Sequence, residues 1–174
     1  MDIESIKPKL ALKIIAPILI VAVIVGIFIL KNNQDKPIAD NTGEFALEAT
    51  TIDLEQLKSY GLPIIIDFGA DSCVPCKEMA PVLQKLNKEM QGKAIIKFVD
   101  VWKNENAAAN FPVDLIPTQF YFDKEGNPFV PKDAKAMQMK LYSTNDTNKH
   151  VYTAHQGGMT ETQLRAVLKQ MGVQ

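Results

Sequence analysis

A strand, a turn and a helix around one Cys-x-x-Cys motif constrain this chain more than any other feature of its sequence. Residues 64–68 are apolar except for Asp67, a pattern typical of a strand that is buried on both faces. After a short turn, apolar side chains recur at helical spacing as far as about Met90. We therefore predict a buried strand followed by an amphipathic helix, with Cys73 at or just before the first helical turn.

The position of Cys73 favours a reactive thiolate. At a helix N-terminus, unpaired amide N–H groups and the helix dipole stabilise negative charge, so the pKa of a cysteine there is depressed. Thiol–disulfide exchange needs one thiolate that attacks and a second thiol that resolves the mixed disulfide. We assign the attack to Cys73, which is nearer the helix end and solvent, and the resolution to Cys76, one turn deeper.

The composition of the chain limits the functions that this Cys-x-x-Cys motif can have. The chain has only two cysteines, both in the motif, so any disulfide is functional and not part of a structural framework. Zinc would need further ligands, but the only histidines, His150 and His155, lie more than seventy residues downstream. The net charge of −1 gives no electrostatic basis for binding nucleic acid. We expect no metal and no cofactor other than a redox-active Cys73–Cys76 disulfide.

Residues 63–123 resemble thioredoxin in the order of their motifs, which are Asp67-Phe68, Cys73-Val74-Pro75-Cys76-Lys77, Ala80-Pro81 and Ile116-Pro117-Thr118. The resemblance implies an α/β, thioredoxin-like fold, with a central mixed sheet flanked by helices, and thiol–disulfide exchange as the activity. The sequence departs from the family at Gly69 and Ser72, where tryptophan is usual. It also departs between the cysteines, where Gly-Pro is the commonest pair.

The resemblance also implies a substrate-binding surface. A cis peptide bond before Pro117 would place the backbone of Ile116 and Thr118 beside the dithiol, where it pairs with an extended substrate. Val74 and Pro75, between the two cysteines, complete the expected set of substrate-binding residues.

Two charged residues lie in otherwise apolar strands. Burial disfavours the charged form of a carboxyl, so we expect the pKa of Asp67 to be raised. The resemblance supports a catalytic role for Asp67 as the proton acceptor of Cys76; the alternative is a strand-end aspartate that reaches water. Lys97, inside the next predicted strand, is a candidate catalytic partner of Asp67, and the alternative is an edge lysine that points outward.

Other periodicities and turn signals predict the rest of the domain. Phe45 and Leu47 suggest a first edge strand, and Thr50 or Thr51 is the expected cap of the first short helix. Between residues 128 and 155 the chain is longer than a plain thioredoxin, and we predict an extended hairpin there. A capping box is predicted at Thr160–Gln163, where the final helix should begin. The other predicted elements are a helix at 52–60, strands at 94–101 and 118–122, a helix at 104–110, and hairpin strands at 137–142 and 151–155.

Residues 10–30 form a 21-residue apolar stretch, interrupted only by Lys13 near its start. At 1.5 Å per residue this length spans a hydrocarbon core of roughly 30 Å, so we predict a transmembrane helix that precedes the thioredoxin-like domain. The alternative, a cleaved signal peptide, would have an unusually long apolar region, and no small-x-small cleavage site follows Leu30. The expected organisation is a tail at 1–9, the anchor at 10–30, a linker at 31–43 and the domain at 44–174.

The lysines near this stretch favour a cytoplasmic N-terminus, with the domain in the periplasm or outside the cell. Lys7, Lys9 and Lys13 precede or enter the apolar segment, whereas Lys31 and Lys36 follow it. We therefore expect a single-pass membrane protein.

Two classes of function follow. The first is a membrane-anchored thiol–disulfide oxidoreductase that reduces disulfides of extracytoplasmic proteins; the resemblance implies electrons from a membrane thiol transporter of the CcdA or DsbD type. A net disulfide oxidase or isomerase is the alternative within this class. The second class is a tethered binding module in which the dithiol is incidental. Loss of function on replacing Cys73 alone would separate the two classes.

The predicted anchor can be tested by topology. Because the apolar stretch is long and lacks a cleavage site, the chain should stay in the membrane fraction, and a topology reporter fused after Gln174 should be active only outside the cytoplasm. Recovery of a soluble mature chain that begins after Leu30 would contradict the prediction.

Overall fold

The structure is a computed structural model that describes residue 43 and residues 45–174. The predicted tail and anchor, and all of the predicted linker except Gly43, lie outside the described residues. Among the residues described, no helix is both long enough and apolar enough to cross a membrane. The elements in chain order are α1 (Leu54–Ser59), β1 (Ile64–Gly69), α2 (Val74–Glu89), β2 (Ile95–Asp100), a 3₁₀-helix (Glu105–Ala108), β3 (Thr118–Phe122), β4 (Met139–Ser143), β5 (His150–Gln156) and α3 (Glu161–Gln170).

The strands form one mixed sheet in the order β2-β1-β3-β5-β4. β1 and β2 are parallel, as expected for two strands joined by the helix α2. β3 is antiparallel to both β1 and β5, and β4 is antiparallel to β5. The architecture is therefore the thioredoxin-like α/β fold that the sequence predicts.

β1 lies between two neighbours and two hydrophobic layers, and all six of its residues are buried. Because strand side chains alternate between faces, Ile65 packs with α2 and α3, whereas Ile66 and Phe68 pack with Leu57 of α1. Asp67 therefore shares the face of Ile65. This alternation places the one carboxyl of β1 on the side of the sheet that α2 covers.

The N-terminal part of the domain departs from two predictions. The N-cap of α1 is Asp53, whose side chain accepts a hydrogen bond from the Gln56 N–H at 3.0 Å, and not Thr50 or Thr51. The edge strand expected at Phe45 and Leu47 is reduced to one parallel bridge, which joins Glu48 to β2. The Phe45 carbonyl accepts instead from a side chain, Asn87 Nδ2 at 3.0 Å, whereas the Leu47 carbonyl accepts from the Phe98 N–H at 2.7 Å.

The later elements agree better with the predictions. β4 and β5 form the expected hairpin around a turn, and β5 also pairs with β3, so the hairpin extends the central sheet. The capping box at the start of α3 is present in both directions between Thr160 and Gln163. The helix predicted at 104–110 is only a four-residue 3₁₀-helix.

Candidate active site

The dithiol lies at the N-terminus of α2. Cys73 is the N-cap residue, and its Sγ accepts a hydrogen bond from the Cys76 N–H at 3.3 Å. The two cysteines form a disulfide with a Cα–Cα distance of 5.2 Å. Cys73 is partly exposed, whereas Cys76 is 4% exposed. A partner molecule can therefore reach the Cys73 sulfur more easily than the Cys76 sulfur.

Gly69, one of the departures from the family pattern, forms the floor beneath Cys76. A Cβ atom at this position would lie 3.2 Å from Cys76 Sγ and 2.9 Å from Phe98 Cε2. The backbone of β1 thus approaches the dithiol more closely than any side chain here would allow. Ser72, the other departure, is exposed in the turn before Cys73.

The substrate-binding segment predicted from the resemblance lies against the dithiol. The peptide bond between Ile116 and Pro117 is cis, and Ile116 O is 3.9 Å from Cys73 Sγ. Thr118 begins β3 opposite Phe68 and is fully buried. Val74 and Pro75, between the two cysteines, are exposed, with Val74 at 66%.

Asp67 is buried on the face of the sheet that α2 covers. Its side chain is 1% exposed, and burial raises its pKa to about 7 although a hydrogen bond from Gln119 opposes the rise. Asp67 precedes Gly69 by two residues on the same face, a step of about 6.6–6.8 Å along a strand, so its carboxyl lies below the turn that carries Cys76. Oδ1 accepts from Gln119 Nε2 at 2.8 Å, and Oδ2 has no hydrogen-bond partner among the described residues.

Comparison with known proteins agrees with this geometry. The thioredoxin family model matches residues 54–147, which is more than half of the chain. Thioredoxin C-2 of Corynebacterium nephridii is 34% identical over 108 residues, which cover 62% of this chain and 94% of that protein. The chain belongs to the thioredoxin family. With its Cys-x-x-Cys pair in place, it is a thioredoxin-like disulfide oxidoreductase.

A second relative supports the same assignment, and a solved structure has the same fold. Thioredoxin 1 of Chlorobaculum tepidum is 40% identical over 74 residues, covering 42% of this chain and 72% of the relative. The crystal structure of chloroplastic thioredoxin z has a similar fold, with a TM-score of 0.50, 21% identity, and coverage of 72% of this chain and 93% of that chain.

Lys97 is not the partner of Asp67 in this thioredoxin-family domain, contrary to the prediction. The parallel register pairs Lys97 with Ile66, so its side chain points to the face of the sheet opposite Asp67. There its Nζ donates to Ala46 O at 2.7 Å, below α1. The β2 residue beside Asp67 is Phe98, which packs against the core on the α2 side.

The residues that do surround Asp67 were not among the predicted site residues. Gln119 donates to Asp67, and its Oε1 lies 3.1 Å from Nδ1 of His155. Burial lowers the pKa of His155, although a backbone hydrogen bond with Gly157 opposes the shift. The signal that could have identified Gln119 is the one that identified Asp67, a polar residue inside an otherwise apolar strand. From the sequence, His155 was weighed only as a zinc ligand.

Asp100 is a second buried carboxylate that sequence reasoning missed. Burial would raise its pKa, but backbone N–H donors outweigh that effect and hold the pKa below its ordinary value. The donors are the backbone N–H groups of Asp71, Trp102 and Lys103, which lie 2.9, 3.0 and 3.1 Å from the side-chain oxygens of Asp100. Because Asp71 precedes Cys73 by two residues, Asp100 ties the turn before the dithiol to the end of β2. Across residues 45–174, no group of three or more His, Cys, Asp or Glu side chains is arranged to hold a metal ion.

The raised pKa of Asp67 predicts that this residue destabilises the oxidised fold at high pH. The native carboxyl keeps its proton up to about pH 7, whereas the unfolded one ionises near 3.8, so the native state binds more protons in between. Stability should therefore fall as the pH rises from about 4 to about 7. Asp67→Asn should raise the free energy of unfolding at pH 8 more than at pH 5, by on the order of a few kcal/mol.

Urea denaturation of the oxidised protein at the two pH values measures this difference. Asp114→Asn, the same change at an exposed position, is the control and should have no such pH dependence. An Asp67→Asn effect of equal size at pH 5 and pH 8 would contradict the prediction.

Proposed function

We propose that this thioredoxin-family protein reduces disulfides of extracytoplasmic proteins while residues 10–30 anchor it in a membrane. The observation that carries the proposal is the unequal exposure of the dithiol, with a partly exposed Cys73 at the helix end and a buried Cys76 against Gly69 of β1. The membrane location rests on the 21-residue apolar stretch of the sequence.

The reaction begins at the exposed sulfur. In the reduced protein, the Cys73 thiolate attacks one sulfur of the substrate disulfide and forms a mixed disulfide. The other substrate sulfur leaves as a thiolate and takes a proton from water. The helix N-terminus and the Cys76 N–H, which is 3.3 Å from Cys73 Sγ in the disulfide, stabilise charge at the attacking sulfur.

The second step consumes the mixed disulfide. Cys76 passes its proton to the Asp67 carboxylate, and the new thiolate attacks Cys73 Sγ. The bond between Cys73 and the substrate breaks, its sulfur leaves as a thiolate that accepts a proton from Asp67 or solvent, and the Cys73–Cys76 disulfide forms. The substrate has gained two electrons and the dithiol has lost two. A dithiol donor, such as a membrane thiol transporter of the CcdA or DsbD type, would return them.

The rim of the site suits an extended polypeptide with apolar side chains. Val74 is 66% exposed and Leu115 47% exposed, on the two segments that flank Cys73 Sγ. Ile116, next to Cys73, offers backbone groups for pairing with a substrate strand. The proposed substrates are therefore proteins whose disulfides lie in accessible, extended segments.

The proposed direction follows from how little stabilises the Cys73 thiolate. A strong oxidant needs its reduced form stabilised by additional positive charge or donors near the attacking sulfur. Here the residues between the cysteines, Val74 and Pro75, have no side-chain donor, and Lys77 is exposed beyond Cys76. The disulfide should therefore be comparatively stable and the dithiol a reductant.

Single cysteine replacements test the assigned roles. Cys73→Ser should abolish disulfide reduction, because the remaining thiol is buried. Cys76→Ser should attack substrates but stall, because no thiol resolves the mixed disulfide. Non-reducing electrophoresis of the Cys76→Ser full-length chain with a disulfide-bonded protein should show a covalent complex, with the Cys73→Ser, Cys76→Ser double variant as control. Function that survives Cys73→Ser would favour a binding module instead.

Equilibration against a glutathione series tests the direction. We expect the reduction potential of the full-length chain to fall below about −200 mV, nearer to that of a thioredoxin than to the roughly −120 mV of a strong oxidant. A midpoint near the oxidant value would assign a net oxidase activity and reverse the proposal.

A further inference from the structure

A row of three polar side chains crosses the buried face of the sheet beneath the dithiol. Gln119 Nε2 donates to Asp67 Oδ1 at 2.8 Å, and Gln119 Oε1 lies 3.1 Å from His155 Nδ1. Asp67, Gln119 and His155 are 1%, 0% and 3% exposed. Polar groups this deeply buried are costly unless they bond to one another, so the row is a single hydrogen-bonded unit.

The strand register builds this row. Gln119 of β3 lies opposite Asp67 of β1 on one side and opposite His155 of β5 on the other. Phe98 and Met139 occupy the next positions outward on β2 and β4. Because directly opposed residues share a face, the three polar side chains are neighbours, and an apolar side chain closes the row at each end.

The direction of the hydrogen bonds is fixed by their partners. Gln119 Nε2 faces two acceptors, Asp67 Oδ1 and the Gly157 carbonyl oxygen at 3.2 Å, so this atom is the amide nitrogen. Its amide oxygen therefore faces His155, and Nδ1 of His155 must donate. A proton on Nδ1 thus polarises the Gln119 amide, whose N–H in turn favours the ionised form of Asp67.

The row also touches the substrate-binding segment. The Gly157 N–H donates to Pro117 O at 2.8 Å, and the Gly157 carbonyl accepts from Gln119. Gly158 follows, and a Cβ there would lie 3.8 Å from Pro75. The turn after β5 therefore connects His155 and Gln119 to both sides of the dithiol.

Few other titratable groups of the described residues face Asp67. Tyr121 of β3 does, but burial, with a smaller effect of Asp67, keeps its pKa well above its ordinary value, and its hydroxyl donates to Met159 Sδ at 2.9 Å. Gly69, two residues later on the same face, lies against Cys76 of α2, and the β2 residue opposite Asp67 is the uncharged Phe98. His155, through Gln119, is thus the group that remains to modulate the carboxyl.

We propose that His155 is a positioning residue which, through Gln119, fixes the orientation and basicity of the Asp67 carboxylate and so controls the proton transfer that accompanies resolution by Cys76. The proposal rests on the proposed function, in which Asp67 takes the Cys76 proton. One Asp67 oxygen is held by Gln119, and the unpartnered Oδ2 remains available to accept that proton. When His155 cannot donate, the Gln119 N–H is a weaker donor and Asp67 retains its proton to a higher pH.

Variants of His155 distinguish the hydrogen bond that it donates from its contribution to packing. His155→Leu removes the donor at the Nδ1 position. His155→Asn keeps an amide N–H at that distance from the backbone and should behave as the wild type. His150→Leu is the matched control, because His150 lies on the same strand but bonds to Tyr152 O and Thr153 Oγ1, outside the row. If His155→Leu does not fold, His155→Met serves as the apolar variant.

Two measurements on the full-length protein are needed. The first is the pKa of the Asp67 carboxyl in the oxidised protein, from ¹³C NMR titration of aspartate carboxyls with Asp67→Asn as the assignment control. The second is the pH profile of resolution, followed as release of the second thiolate when the reduced protein reacts with dithionitrobenzoate. Only the second measurement depends on Asp67 acting as proton acceptor.

His155→Leu should raise the pKa of Asp67 by about half to one pH unit, and the midpoint of the resolution profile should rise equally. His155→Asn and His150→Leu should leave both unchanged. An unchanged pKa in the apolar variant, or the same shift in His155→Asn, would overturn the proposal. A shifted pKa with an unmoved resolution profile would show that Asp67 is not the proton acceptor, which overturns that part of the proposed function and the control over exchange with it.

Discussion

Burial of β1 on both faces is the constraint on which the rest of the structure depends. The strand has hydrophobic layers above and below and hydrogen-bonded neighbours on both sides, so all six of its residues are buried. Asp67 is therefore held where its charged form is disfavoured, and this burial raises the pKa of its carboxyl to about 7. The same strand leads directly to Gly69, whose lack of a side chain lets the Cys76 sulfur rest on the backbone.

The site is assembled from the ends of several elements, each tied to the next by backbone groups. Asp100 at the end of β2 holds the turn before Cys73, and Gly157 after β5 holds the segment that contains the cis bond. Cys73 occupies the helix end between these two ties. The positions of the two sulfurs thus depend on the sheet below them, and the proposed role of the row formed by Asp67, Gln119 and His155 rests on this connection.

Local patterns in the sequence predicted the elements that depend on near neighbours. The Cys-x-x-Cys turn, β3 and the Thr160–Gln163 capping box were correctly placed, because each is determined by residues within a few positions. The cap at Asp53 was missed because Thr50, Thr51 and Asp53 are all acceptable caps and only the fold chooses among them.

Errors and omissions in the site came from contacts between strands. Lys97 was predicted beside Asp67 because both are charged residues in adjacent apolar strands, but the register between β1 and β2 puts them on opposite faces. Gln119 and His155 belong together only once β5 is known to pair with β3, and His155 lies 36 positions along the chain from Gln119. Without a register, no spacing within the sequence indicates that these side chains meet.

Side chains of β2 alternate between the two faces of the sheet, so each β2 residue lies either on the face of Asp67 or on the opposite face. Lys97 binds the carbonyl of Ala46 below α1, whereas a lysine one residue later, in place of Phe98, would lie on the other face directly beside Asp67. No intermediate arrangement exists, because a strand offers only two directions. In a designed version of this domain, an exchange of residues 97 and 98 would therefore add a cation beside Asp67, while Gln119 and His155 would remain in place on β3 and β5.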